Sequence, residues 1–227
     1  MVDFQLFRIA YEITSTIICL ILVKFMIKPY QLTGESRYLG LQLGFGFLGA
    51  TYALSAFIYS QPGCFGTATL YIQLIIRSFA FLFLCVTYYF SRKKLDNTRW
   101  VWSVTLATLI IAAISSIVLV SLSVVLPAYS IVATYVRFFN LFCIGYLCFH
   151  TFRSHIEAPD SDTLWIPLGY LLFGVSQYSL IIYTLDNSIS AWWSALGIRY
   201  AAFALFLYVA YTSFYSKKGR LNEKDST

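Results

Sequence analysis

The sequence predicts an all-α, polytopic integral membrane protein with seven transmembrane helices. Three observations carry this: the composition, seven apolar runs of spanning length, and basic residues gathered on alternate connections. Of 227 residues, 59% are hydrophobic, 19% aromatic and only 11% charged. A soluble domain carries about 25% charge, so too little is present to clothe a soluble surface. Mean hydropathy is +0.72. The net charge of +6 in another setting would point to nucleic acid. Here it is spread over short loops, and no nucleic-acid partner is expected.

A span needs about 20 mostly apolar residues. The first, 5–27, holds Glu12 and lacks both a basic leader and a small-residue cleavage site, so it reads as a retained helix and not a signal peptide. The second, 39–60, is rich in small residues; Gly46 and Ala50, flanked by Gly44 and Gly49, have the spacing that lets helices approach closely. The third, 68–90, carries Arg77 and ends in SRKK. The fourth, 100–124, opens on Trp100 and Trp102, expected as aromatic anchors at a membrane edge. The fifth, 128–151, contains Arg137. Pro167 falls in the first turn of the sixth, 164–185, where proline is tolerated. The seventh, 190–215, begins with Trp192 and Trp193, again at an expected edge. Residues 1–216 form one seven-helix domain, and 217–227 a short basic tail.

Of the 16 Lys and Arg, all but Arg8, Arg77, Arg137 and Arg199 lie on the connections after helices 1, 3 and 5, in the tail, or at Lys24, within snorkelling reach of that side. The connections after helices 2, 4 and 6 hold none. By the positive-inside rule the N-terminus is outside and the C-terminus cytoplasmic, in a multi-pass cell-membrane protein. Four of the five cysteines lie inside spans and Cys64 in a loop, which offers no disulfide framework.

Internal similarity links IRSFAFLFLCVTYYFSRKK (76–94), VRFFNLFCIGYLCFHTFRS (136–154) and IRYAAFALFLYVAYTSFYSKK (198–218), whose arginines recur at near-equal intervals. LGFGFLGATY (43–52) likewise matches LGYLLFGVSQ (168–177). These matches suggest a duplicated helical hairpin.

The four remaining arginines all lie on odd helices. At 1.5 Å per residue, Arg77, Arg137 and Arg199 stand about 21 to 27 Å from the cytoplasmic edge, in the outer third of a core about 30 Å thick. Gln73 lies one turn from Arg77, Asn140 shares a face with Arg137, and Gln177 falls in the outer half of helix 6. Glu12 is one turn from Arg8 and is expected to pair with it at i, i+4. Two readings stand for the deeper arginines. They form an outward-facing pocket for a carboxylate, phosphate or lipid head group, or they lock the bundle through Glu12, Asp186 or backbone carbonyls. The candidate ligand-binding set is Arg8, Glu12, Gln73, Arg77, Arg137, Asn140, Gln177 and Arg199.

No metal or cofactor is expected, because His150 and His155 are not on one helical face and no acidic or cysteine cluster accompanies them. No hydrolytic or phosphate-loop motif appears, so the expectation is not an enzyme. The topology resembles that of microbial rhodopsins and seven-helix receptors. The seventh segment has no lysine to carry a retinal Schiff base, which argues against a photoactive rhodopsin. A sensory or ligand-binding membrane protein is the leading expectation, with a small-solute or ion transporter as alternative. A further alternative is an accessory subunit meeting a membrane or cytoplasmic protein partner.

Overall fold

The computed structural model describes residues 2–33, 39–61, 67–91, 98–121, 127–157 and 164–212. They form seven helices: α1 Val2–Thr33, α2 Leu39–Ser60, α3 Thr67–Ser91, α4 Thr98–Ser121, α5 Tyr129–Glu157, α6 Trp165–Asp186 and α7 Ile189–Tyr211. All seven are long and apolar enough to cross a membrane, and no strand occurs among the described residues. The chain is therefore built as a multi-pass membrane protein. The basic tail, Cys64, Arg37 and the Arg92–Lys94 cluster lie outside the described residues.

Two helices outrun their expected bounds. α1 has 32 residues, about 48 Å at helical rise. α5 continues through the RSHIE stretch expected as a connection, held there by an Arg153–Glu157 ion pair of 3.0 Å at i, i+4. Its described residues end at Glu157. Between α6 and α7 the turn takes two residues. Asn187 adopts the left-handed conformation (φ 53°) and returns its N–H to the Tyr183 carbonyl, while the Ser188 hydroxyl caps α7 by accepting from the Ala191 N–H at 3.4 Å.

Six helices close a ring in the order α1, α2, α3, α5, α6, α7, and α4 packs outside it, chiefly on α3. The outward side of α4, with Ile110, Ile111 and Ile114, is exposed and suits lipid.

The ring has an internal two-fold pattern. One constant step along the chain carries Gly44, Phe45, Leu48, Thr51, Tyr52 and Ser55 of α2 onto Gly169, Tyr170, Phe173, Ser176, Gln177 and Leu180 of α6, and all are buried. The same step carries Ser15, Cys19 and Leu22 of α1 onto Asn140, Ile144 and Leu147 of α5, again all buried. A slightly shorter step carries Gln73, Leu74, Ala80, Phe81 and Leu84 of α3 onto Ala195, Leu196, Ala202, Phe203 and Phe206 of α7.

Contacts follow the same correspondence. A Cβ on Gly44 would meet Leu84 at 2.6 Å, and one on Gly169 would meet Phe206 at 2.9 Å. A Cβ on Gly49 would meet Cys19 at 3.1 Å, and one on Gly174 would meet Ile144 at 3.4 Å. The repeating unit is thus three helices, α1–α3 and α5–α7, with α4 between them, and not the hairpin inferred from sequence. The similarity of the 136–154 segment to its neighbours reflects shared composition, since α5 corresponds to α1.

Two expectations about packing change. Close approach on α2 runs through Gly40, Gly44 and Gly49; Gly46 has its nearest neighbour at 3.9 Å and Ala50 is exposed. Trp102 and Trp192 are core residues, 3% and 7% exposed, whereas Trp100 and Trp193 remain exposed. The helical rotation between near neighbours aims one indole of each pair inward.

Substituting Gly44 by Val should force Leu84 and the Ala80 carbonyl apart and cost about 1–3 kcal/mol. Gly145→Ala, with nothing within 4 Å, should be neutral or stabilising by up to about 1 kcal/mol. Reversible unfolding in mixed micelles checks both, and equal stabilities for the two variants would contradict this packing.

Candidate functional site

At one end of the ring, the starts of α1, α3, α5 and α7 meet the ends of α2 and α6. The Gln5 side chain donates to the Tyr59 carbonyl at 2.6 Å, and the Tyr71 hydroxyl donates to the Pro127 carbonyl at 2.7 Å. Between these helix ends lies a cavity of about 250 Å³. Arg8, Arg77, Arg137 and Arg199 all line it, together with Glu12, Gln73, Ser55, Tyr59, Tyr129, Tyr183 and Trp192. Deeper in the bundle, aromatic rings that do not line the cavity pack against one another. Tyr52 meets Phe203 with centroids 5.9 Å apart, and Phe81 meets Phe173 at 6.1 Å.

The four guanidiniums are held differently. Arg8, on the outermost turn, donates to the Tyr59 hydroxyl at 3.2 Å and lies 4.3 Å from that ring's centroid. Arg199 is 3% exposed, flanked by the rings of Tyr52 at 4.9 Å and Tyr11 at 5.5 Å. Its ion pair is with Glu12, Nη1 to Oε2 at 3.8 Å. That is too long for a hydrogen bond, and Nε and Nη1 have no hydrogen-bond partner among the described residues. The carboxylate thus reaches across the α1–α7 seam to Arg199, whereas the sequence had suggested Arg8 as its partner.

Arg137 donates through Nη1 to the Leu180 carbonyl at 2.5 Å, tying α5 to α6, while its buried Nε has no hydrogen-bond partner among the described residues. Arg77 makes no hydrogen bond or ion pair among them; its recorded contact is the Tyr52 ring, 5.5 Å away. Gln73 donates to the Ser55 hydroxyl and to the Thr51 carbonyl at 3.4 Å, which fixes its amide beside Arg77. Asp186 is exposed at the end of α6, where it locks none of the arginines.

Six of the eight sequence candidates therefore share one cavity. Asn140 and Gln177 do not line it. They lie one turn deeper than Arg137 and Leu180, 0% and 1% exposed. Both polar atoms of Asn140, and the Gln177 Oε1, have no hydrogen-bond partner among the described residues. Sequence reasoning missed the aromatic lining, because 18 tyrosines and 20 phenylalanines leave no single ring conspicuous. Tyr52, whose ring faces Arg77 and Arg199 without lining the cavity, had one available signal: it aligns with Gln177 in the 43–52 and 168–177 match.

The electrostatics are one-sided, with four guanidiniums facing a single carboxylate in surroundings that screen poorly. Tyrosine and tryptophan faces offset part of that charge through cation–π attraction, about 0.5–2 kcal/mol per contact. No family model, curated protein or solved structure matches the chain. The site is consequently read from its own chemistry.

Removing one member of the buried pair should be costly, because the other is left uncompensated. Glu12→Gln is expected to destabilise by about 3–5 kcal/mol, and Glu12→Leu combined with Arg199→Met to recover most of that loss. Unfolding free energies of wild type and these two variants provide the check; a double variant no more stable than Glu12→Gln would contradict the pairing.

Proposed function

We propose that this seven-helix membrane protein binds a small organic or inorganic anion in the arginine-lined cavity and acts as a sensory or ligand-binding module, without catalysing a reaction. One observation supports the reading above all others: four guanidiniums and one carboxylate line a single cavity of about 250 Å³. At about 30 Å³ per water molecule, that volume suits a small solute. Guanidiniums recognise carboxylate and phosphate through paired, charge-assisted hydrogen bonds. The basic loops support an N-terminus outside by the positive-inside rule, an orientation in which the cavity faces the exterior. A signal would then pass to a partner at the basic cytoplasmic side.

The test is thermal stability of the purified protein in detergent against acetate, succinate, citrate, phosphate and sulfate, at constant ionic strength. At ten times the dissociation constant, a bound anion stabilises by about 1.4 kcal/mol. At least one anion should raise the melting temperature, and Arg77→Gln should abolish that rise. A flat response to every anion defeats the proposal.

A second reading, transport, is favoured by the repeated three-helix units, since parallel repeats about an axis along the membrane normal occur among transporters. Asn140 and Gln177 supply polar groups directly beneath the cavity. Proteoliposomes loaded with buffer should then take up the stabilising anion, and uptake should fall in Asn140→Leu. Binding without any flux rejects transport and leaves the first reading in place.

A further inference from the structure

The two-fold pattern of the ring breaks at one charged position. Arg77 on α3 and Arg199 on α7 are counterparts, as the flanking pairs Leu74 with Leu196 and Phe81 with Phe203 require. By the step that carries Ser15 to Asn140 and Cys19 to Ile144, the counterpart of Glu12 is Arg137. The α1–α7 seam therefore holds a carboxylate and a guanidinium, 3.8 Å apart. The equivalent α3–α5 seam presents two guanidiniums to the same cavity.

Like charges close together in a poorly screening site are unfavourable unless an anion lies between them. Arg199 holds the Glu12 carboxylate in an ion pair, and that single charge is shared at longer range with Arg77 and Arg8. Arg77 has no ion pair or hydrogen bond among the described residues, and Arg137 has spent one N–H on the Leu180 carbonyl. The Gln73 amide, on the turn before Arg77, is held in place by Ser55 and adds a neutral polar wall to this side of the cavity.

We propose that Arg77 and Arg137 form the anion subsite, and that the carboxylate of a small organic solute sits there as the counterpart of the Glu12 carboxylate on the other seam. This rests on the anion-binding reading above and assigns it a place and a ligand class. Acetate and succinate are the probes, with inorganic phosphate as the competing chemistry. Arg137→Glu would supply the missing carboxylate from the chain itself, whereas Arg137→Gln removes the charge without replacing it. The two differ in charge and in that only glutamine keeps an N–H for the Leu180 carbonyl, a difference that favours Arg137→Gln and so works against the expected order.

Without added anion, Arg137→Glu should melt above Arg137→Gln, and it should no longer respond to succinate. Arg77→Gln and Arg137→Gln should weaken succinate binding about tenfold or more, and Arg153→Gln, on the exposed Arg153–Glu157 pair, should leave it unchanged. Succinate affinity within twofold of wild type in both Arg77→Gln and Arg137→Gln overturns the subsite while leaving anion binding intact. Arg137→Glu melting below Arg137→Gln overturns the charge argument. A response to phosphate with none to acetate or succinate overturns the carboxylate assignment. No wild-type response to any anion defeats the underlying reading instead.

Discussion

The ring of helices closes where α1 meets α7, and the buried contact between Glu12 and Arg199 lies at that closure. The seam combines apolar packing of Tyr11 on Trp192 and Leu196 with hydrogen bonds across it. The Tyr11 hydroxyl donates to the Leu196 carbonyl at 2.7 Å, and the Tyr200 hydroxyl returns to the Tyr11 carbonyl at 3.0 Å. Burying a guanidinium is expensive, and the position is tenable only because a carboxylate and two tyrosine faces surround it. Where Arg199 stands decides where α7 stands, and hence where the cavity opens.

Charge compensation also explains the division of labour in the cavity. Arg8 sits near the helix ends and meets the Tyr59 hydroxyl and ring. Arg199 is committed to Glu12. Arg137 is half committed, to a backbone carbonyl. Arg77 meets the Tyr52 ring and feels the Glu12 carboxylate only at longer range. The gradient from committed to available runs from the α1–α7 seam to the α3–α5 seam. A stabilising lattice and a receptive group can thus be built from one residue type, because partner and not identity sets availability.

Aromatic rings fill the bundle below the cavity. Phe173 meets both Phe203 at 5.2 Å and Phe206 at 5.7 Å, drawing α6 and α7 together below the arginines. The first contact is edge-to-face and the second tilted, and aromatic pairs of this kind add to area burial. Asn140 and Gln177, buried one turn above Phe173 and its neighbours, carry polar atoms without hydrogen-bond partners among the described residues.

Sequence by itself determined the seven spans and the presence of arginines near one end of the odd helices. Span length and apolar content are local properties, tied to bilayer thickness and helical rise, so they survive without knowledge of neighbours. The matched stretches at 43–52 and 168–177 already carried the duplication, although its unit was read as a hairpin. Only the tertiary structure decided that Glu12 faces Arg199 and not Arg8, that Trp102 and Trp192 turn inward, that α4 stands outside the ring, and that Arg137 occupies the place of Glu12. Each of those depends on how a helix is rotated about its axis against a partner far away in sequence. In a chain this uniformly apolar, the periodic contrast that would reveal such rotation is nearly absent, and packing between helices has to supply it.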